Sequence, residues 1–186
     1  MPTASVTGIA EDLGQGYLYA TGTKIYYSNL GAGQFTVQVN ASDSEGLSGA
    51  SSTHKFDSMA SAPEDATEGT PPVVYELIYT TAPSDTNTGT FEIKVYDLAN
   101  LYATVTFEVE RDITAPVGGS ISYTDGYYAT TSVAISFING TDAGAGLGSR
   151  IIQRRNAVLS EGSCGGFGSW SDLVTDPPAS PYTDNT

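Results

Sequence analysis

Oxygen-bearing side chains at the ends of predicted strands are the residues of this sequence best placed to do chemistry. They are Asp43, Glu45, Asp97, Asn100, Asp112 and Asp142. Calcium in proteins is bound by about six to eight oxygens from carboxylates, carbonyls and water, so these residues are the candidate ligands of a calcium site. The ligand spacing of an EF-hand loop does not occur, and calcium is the only cofactor that the sequence suggests.

Two of these aspartates follow a similar strand-like run and precede a Gly-rich stretch. Asp43 lies in "VNASDSEGLSG" (39–49) and Asp142 in "INGTDAGAGLGS" (138–149), 142 − 43 = 99 positions later. An aspartate also commonly caps a turn by accepting hydrogen bonds from its own backbone. The two stretches are therefore either ligand loops or one structural turn repeated in two modules.

Groups that could carry catalysis are scarce. His54 is the only histidine, and no third group is placed to orient it as a general base. Cys164 has no neighbouring base to activate its thiol, and one histidine with one cysteine is too few for a zinc site. The stretch "GTDAGAGLG" is not followed by a helical pattern, which argues against a phosphate loop. We therefore expect no enzyme.

The composition narrows the range of partners. The 186 residues carry a formal net charge of −14, which argues against nucleic acid because binding its phosphates needs Lys and Arg. No apolar stretch is long enough to cross a bilayer, so direct membrane insertion is not expected. With a single cysteine, no disulfide can form within the chain, and any pairing partner of Cys164 lies elsewhere.

Alternation of apolar and polar residues predicts strands along the chain. In "QFTVQVNA" (34–41), Phe35, Val37 and Val39 share one face. The same period of two recurs at 73–79, 91–95 and 103–109. Helical periodicity is missing, so we predict an all-β fold of short antiparallel strands packed as β-sandwiches.

A boundary between two domains is expected at "RDITAPVGG" (111–119). Pro116 cannot donate a ladder hydrogen bond, two glycines follow, and strand patterns then restart. Upstream, "IYYSN" (25–29) parallels "ISYTD" (121–125). A repeat of about 100 residues is the size of an immunoglobulin-like sandwich. We predict one such domain over 1–112 and a second over 113–186, incomplete because it lacks its C-terminal hairpin.

Three less regular segments carry weaker predictions. The Pro- and Glu-rich stretch 59–72 is expected to be a long surface loop, and 53–56 a short strand. In "GSCGGFGSWSDLV" (162–174), Phe167, Trp170 and Leu173 are expected to act as apolar anchors. These anchors would tie the Gly-rich segment to a core.

Three motifs resemble bacterial Ig-like repeat domains of large cell-surface and secreted proteins. They are the hairpin "YDLANL" (96–101), the boundary "RDITAP" (111–116) and the turn "ASDSEGLSG" (41–49). The family's hairpin commonly reads Tyr-Asp-x-Ala-Gly-Asn, whereas here Ala99 is followed directly by Asn100. The resemblance implies tandem Ig-like sandwiches and says little about the ligand, because one fold hosts many functions.

The expected function follows from that architecture. We expect a structural or adhesive spacer in a bacterial surface or secreted protein, located outside the cell, with neighbouring Ig-like repeats of a longer chain as its partners. Surface glycans and host or other cell proteins are further candidate partners. The alternative is a carbohydrate-binding accessory module of an extracellular enzyme, because exposed aromatic rings can stack on sugars. The pairs Tyr26–Tyr27 and Tyr127–Tyr128 are the candidates, with one tyrosine of each pair expected in the core because adjacent strand residues face opposite ways.

Overall fold

A computed structural model describes residues 1–13, 16–52, 56, 72–126 and 130–185. Every regular element in these ranges is a β-strand, which confirms the prediction of an all-β fold. The chain divides into two compact units, Met1–Ile113 (unit 1) and Thr114–Thr186 (unit 2). His54, Tyr127, Tyr128 and most of the predicted loop 59–72 lie outside the described residues.

Unit 1 consists of two sheets. Its strands are β1 (Thr3–Leu13), β2 (Leu18–Thr21), β3 (Lys24–Tyr27), β4 (Gly33–Ser42), β5 (Leu47–Ser52), β6 (Val73–Thr81), β7 (Gly89–Asp97) and β8 (Tyr102–Arg111). One sheet has the order β1-β4-β6, and the other has the order β2-β3-β8-β7-β5. Both sheets contribute side chains to a single apolar core.

That core is built from the alternating positions of the longest strands. Phe35, Val37 and Val39 of β4 are fully buried, as the sequence predicts, because β-branched and aromatic residues suit the covered face of a sheet. Phe35 lies against the ring of Tyr79 from β6, with ring centroids 5.2 Å apart and nearly parallel planes. Phe107 of β8 meets Tyr79 at the same centroid distance of 5.2 Å, so aromatic contacts join the two sheets.

Unit 2 has shorter strands and a much smaller core. They are β9 (Ser120–Ser122), β10 (Val133–Ile138), β11 (Ile151–Arg154), β12 (Leu159–Ser160), β13 (Ser163–Cys164), β14 (Ser171–Thr175) and β15 (Tyr182–Asp184). β9, β10 and β15 form one sheet in the order β15-β10-β9. Among its described aliphatic and aromatic residues, prolines apart, only Ile135 and Ile152 are buried. Most of the apolar surface of this unit therefore faces solvent.

One ladder position recurs in both units. Thr3 of β1 pairs with Ser42, the residue before Asp43. Val117 pairs with Thr141, the residue before Asp142. β9 continues that pairing along β10, as β1 does along β4. By this pairing, β9 corresponds to β1. The predicted correspondence of 121–125 with 25–29 is therefore wrong, because residues 25–27 belong to β3, which lies in the sheet opposite β4.

Other expectations need correction. The stretch after Asp43 was predicted as a turn only, yet Leu47–Ser52 forms β5 and pairs with β7. The strands are not all antiparallel, because β3 pairs with β8 in parallel. Phe167 and Trp170 were expected to anchor a core, but they are 56% and 59% exposed. Among the described residues of unit 2, too few side chains are buried to form a packed layer that could cover these two rings.

Candidate functional site

The turn between β4 and β5 is organised by Asp43. Its Oδ1 accepts a hydrogen bond from the backbone N–H of Glu45 at 2.9 Å. Gly46 then adopts a φ of 111°, a conformation that side chains disfavour, and the chain enters β5. Asp43 therefore caps this turn, which is one of the two roles that the sequence allows for it.

The turn between β7 and β8 is organised in the same way by Asp97. Its Oδ1 accepts hydrogen bonds from the backbone N–H groups of Ala99 at 2.9 Å and Leu101 at 2.8 Å. Asn100 has a φ of 66°, the left-handed conformation that Asn tolerates better than most residues. That tolerance explains how this turn closes with Asn100 where a glycine would be the usual residue.

The two turns lie side by side at one end of unit 1, which we call the acidic pole (Asp43–Gly46 and Asp97–Leu101). Leu47 pairs with Asp97 in the sheet, and the backbone N–H of Leu98 donates to the carbonyl of Gly46 at 3.4 Å. The amine of Met1 lies 3.4 Å from Oδ2 of Asp43 and 3.9 Å from Oδ2 of Asp97. One positive charge thus faces two carboxylates whose side chains are only 4% and 7% exposed.

Hydrogen bonding sets the protonation of Asp43. The backbone N–H of Glu45 holds the pKa of this carboxyl below its usual value of 3.8, and the hydrogen bond and charge of the Met1 amine act in the same direction. Desolvation opposes both effects. Asp43 is therefore a carboxylate near neutral pH and can interact with a positive charge.

The predicted calcium ligands are only partly brought together. Asp43, Glu45, Asp97 and Asn100 belong to the acidic pole. Asp112 follows the far end of β8, whose ten residues span about 30 Å, so it cannot join them. Asp142 belongs to unit 2, where its Oδ1 accepts hydrogen bonds from the N–H groups of Gly144 at 2.9 Å and Gly146 at 3.1 Å.

The fit of the acidic pole to calcium is limited. Asp43 and Asp97 each use Oδ1 on the backbone, which leaves one oxygen of each aspartate for a metal, whereas calcium needs about six to eight ligands. Within the described ranges, no group of three or more His, Cys, Asp or Glu residues is placed to hold a metal. Carbonyls and water would have to supply most ligands, and calcium binding stays a prediction.

Pairs of tyrosines mark the solvent-facing side of the five-stranded sheet. Tyr19 and Tyr26 are directly opposite on β2 and β3, with ring centroids 6.2 Å apart. Tyr96 and Tyr102 are opposite on β7 and β8, with ring centroids 5.6 Å apart. Tyr26 therefore pairs with Tyr19 rather than with its neighbour Tyr27, which is buried in the core. The second pair has a sequence signal in the register of the "LAN" hairpin.

A lysine lies over one ring of each pair. Lys24 is 4.6 Å from the ring centroid of Tyr26, and Lys94 is 4.5 Å from that of Tyr102. A hydrogen bond to Glu110 raises the pKa of Lys24 above its usual value. Lys24 is therefore a cation near neutral pH. Each tyrosine pair combines an apolar surface with hydrogen-bonding groups.

The class of protein that this fold defines is all-β, with several separate sheets. No family model, no curated protein and no solved structure matches the chain. In the part of the chain that the structure describes, no helix is long and apolar enough to span a membrane. The resemblance to bacterial Ig-like repeats stays a prediction from the sequence.

Proposed function

We propose that this chain is a structural spacer built from tandem Ig-like β-sandwiches. The strand order of unit 1 supports the Ig-like assignment. An Ig-type sandwich places its first, second and fifth strands (A, B and E) in one sheet and its C, F and G strands in the other. The order β1-β4-β6 follows that arrangement, and so does the β5-β7-β8 part of the five-stranded sheet, to which β2 and β3 are added beside β8.

The observation that carries the spacer function is the position of the two ends of unit 1. The Met1 amine lies at the acidic pole, 3.9 Å from Asp97 and beside the start of β8. The chain leaves β8 at Arg111, the last of the ten residues of this extended strand. The entry and exit of the unit are thus about 30 Å apart at opposite poles. A module with this geometry adds length each time it is repeated.

Unit 2 is proposed to be a second copy that lacks the hairpin equivalent to β7–β8. Its order β15-β10-β9 matches β6-β4-β1, and Asp142 follows β10 as Asp43 follows β4. In unit 1 the hairpin β7–β8 supplies Phe91, Ile93, Val95, Val105, Phe107 and Val109 to the core. Without such a hairpin, unit 2 can bury few apolar side chains. This agrees with its described aliphatic and aromatic residues, prolines apart, of which only Ile135 and Ile152 are buried.

The proposed location is outside a bacterial cell, on its surface or in a secreted protein. The partners are further Ig-like repeats of a longer chain. A net charge of −14 favours this arrangement because repeated acidic modules repel one another and stay extended and soluble. We propose no catalytic activity for the chain.

Concatenated copies of residues 1–113 provide the test of the spacer function. Small-angle X-ray scattering of one, two and three copies should show a maximum dimension that grows by about 30 Å or more with each copy. The control joins the copies through a long Gly/Ser linker. Because such a linker is a flexible coil, the mean distance between copies should be well below the fully extended length of the linker. Copies that collapse on each other, with no regular increase, would overturn the proposal.

A second function, binding of carbohydrate, is favoured by the two tyrosine pairs. Tyr19 and Tyr102 are each 47% exposed, one in each pair, on the same face of one sheet. Aromatic rings stack on the apolar faces of sugar rings, and hydroxyl and amine groups bind the sugar hydroxyls. This surface would suit an accessory module that holds an extracellular enzyme on a polysaccharide.

Binding of neutral polysaccharides tests this second function. Affinity electrophoresis in gels containing xylan, glucan or mannan should show retardation of the unsubstituted chain. Tyr19→Ala and Tyr102→Ala should each reduce the retardation, whereas Leu98→Ala, a matched exposed apolar site, should not. Equal mobility of all three variants and the unsubstituted chain in every gel would remove sugar binding at the tyrosine pairs.

Calcium at the acidic pole is the third element of the proposal. Four predicted ligands, Asp43, Glu45, Asp97 and Asn100, belong to this pole. The Met1 amine faces the Oδ2 atoms of the two aspartates. Calcium would compete with that amine for the same two oxygens. Its role would be to stiffen the end of the module at which a preceding repeat would join.

A further inference from the structure

A long hairpin in unit 2 carries an unusual group of exposed side chains. β11 pairs with β14 from Ile151↔Thr175 to Arg154↔Ser171. The hairpin continues through hydrogen bonds from Gly168 N–H to the Asn156 carbonyl at 2.9 Å and from Gly165 N–H to the Val158 carbonyl at 2.8 Å. It closes with β12 paired to β13. Backbone bonds on both sides therefore hold the intervening residues in place.

Arg155, Phe167 and Trp170 lie at the junction of these two ladders and form what we call the Arg–aromatic platform. The Cζ atom of Arg155 is 4.7 Å from the ring centroid of Phe167 and 4.8 Å from that of Trp170. Both distances lie within the range of about 6 Å for cation–π contact. With both aromatic side chains more than half exposed, the ring surface not covered by Arg155 faces solvent.

The charge of Arg155 also indicates that the platform can bind a ligand. Arg150 lies 3.5 Å from Asp176, and Arg154 lies 2.6 Å from Asp184. Arg155 has no carboxylate within 4.0 Å among the residues that the structure describes. In a chain with a net charge of −14, this guanidinium is thus free to take an anion from outside.

We propose that the Arg–aromatic platform binds an acidic saccharide, in which a carboxylate is attached to the sugar ring. The Trp170 and Phe167 rings would stack on the apolar face of the sugar, and the Arg155 guanidinium would bind its carboxylate through paired hydrogen bonds. The neighbouring Gly166 has open space where a Cβ would stand. No side chain at this position crowds a sugar ring that stacks on the two aromatic rings.

This proposal extends the sugar-binding function to a different site and a different class of sugar. The tyrosine pairs of unit 1 face solvent beside lysines and several glutamates, whereas the Arg–aromatic platform presents an unpaired cation. The two sites can fail separately, because the tyrosine variants leave the platform unchanged and the Arg155 variants leave the tyrosines unchanged.

The chain contains one tryptophan, so its fluorescence reports on the platform alone. We would titrate the full chain with an oligogalacturonate and, separately, with sialyllactose, and record the Trp170 emission. The matched neutral ligands are the carboxyl-reduced oligogalacturonate and lactose. We expect a saturable change with an acidic ligand and none with its neutral counterpart, and a weaker apparent affinity in high salt because the contact is ionic. The acidic ligand that changes the Trp170 emission shows which of the two kinds of acidic sugar the platform binds.

Variants separate recognition from a general effect on folding. Arg155→Gln should weaken binding about tenfold or more, and Arg155→Lys less, because lysine keeps the charge but loses the paired hydrogen bonds. Phe167→Ala should also weaken binding, while Tyr123→Ala, an equally exposed aromatic of unit 2, should not. Circular dichroism confirms that each variant is folded.

Several results would overturn the proposal. They are an unchanged emission with both acidic ligands at millimolar concentration, an equal response to the neutral ligands, and full binding by Arg155→Gln. An acidic peptide that shifts the emission while the acidic sugars do not would assign the platform to a protein partner instead.

Discussion

Asp43 and Asp97 are 97 − 43 = 54 positions apart in the chain, yet their Oδ2 atoms face the same amine, at 3.4 and 3.9 Å. Each of these aspartates also holds its own turn through Oδ1. The two functions use different oxygens of each carboxylate. A substitution can therefore remove the charge while the turn keeps its acceptor, and this separation underlies the first two predictions.

The stability of the chain should depend on the charge of Asp43 in acid. Its pKa is lowered in the folded state, so its contribution is present above the pKa of the unfolded chain and is lost as the pH falls through the lowered value. Asp43→Asn keeps the amide oxygen as acceptor and should show a shallower loss of melting temperature between about pH 5 and pH 2. Thermal melts followed by circular dichroism measure this. Parallel curves for the two proteins would contradict it.

The Met1 amine should be replaceable by calcium. Adding two residues before Met1 converts the amine to an uncharged amide and leaves Asp43 and Asp97 facing each other without a cation. We expect this extended chain to melt at a lower temperature in EDTA and to recover with calcium, because like charges at close range are unfavourable. Asp43→Asn in the extended chain should show no response. Equal midpoints of the extended chain in EDTA and in calcium would exclude the metal site.

The left-handed conformation of Asn100 gives a third prediction. Asn100→Gly should change the free energy of unfolding by no more than about 0.5 kcal/mol, because glycine adopts this φ freely. Asn100→Val should destabilise unit 1 by about 1–2 kcal/mol, since a β-branched residue disfavours positive φ. Urea denaturation measures both variants. Similar losses for both would indicate that the Asn side chain, rather than its φ, matters.

The two units should differ in the protection of their backbone amides. In unit 1, β4 is covered by fully buried residues from both sheets, whereas β10 of unit 2 has only Ile135 buried. Hydrogen exchange of the full chain, read by mass spectrometry, should therefore show amides of β4 exchanging far more slowly than those of β10. Supplying unit 2 with a copy of residues 89–111 fused after residue 186 should slow the exchange of β10. Equal protection of both strands in the unmodified chain would contradict the proposal that unit 2 lacks a hairpin.

Local sequence patterns predicted the strands that have strict alternation. β4, β6, β7 and β8 all show a period of two, and most of their buried apolar positions are the ones expected. Thr36 is an exception, because it is buried although it belongs to the polar face of β4. β5 was missed because "LSGASS" is made mostly of small residues with low strand propensity. Leu47 and Ala50 of this strand are buried through pairing with β7, a contact that lies far away in sequence.

The sites were harder to predict than the strands. Asp43 and Asp97 were named as candidates, but the amine that faces them is a backbone group with no sequence pattern of its own. The Arg–aromatic platform depends on the hairpin register, which shifts between Ile152 and Gln153. A one-residue change in register reverses which face a side chain occupies, so the contact of Arg155 with Phe167 and Trp170 could not be derived from spacing.

The parallel pairing of β3 with β8 has a mechanical consequence. Four residue pairs, from Lys24↔Glu108 to Tyr27↔Arg111, join these strands at the exit end of unit 1, and β7 flanks β8 on its other side. Tension applied between Met1 and Arg111 acts along β8, at right angles to the hydrogen bonds on both of its edges. Those bonds are then loaded in shear and share the force, instead of breaking one after another as they do when a strand is peeled from one end.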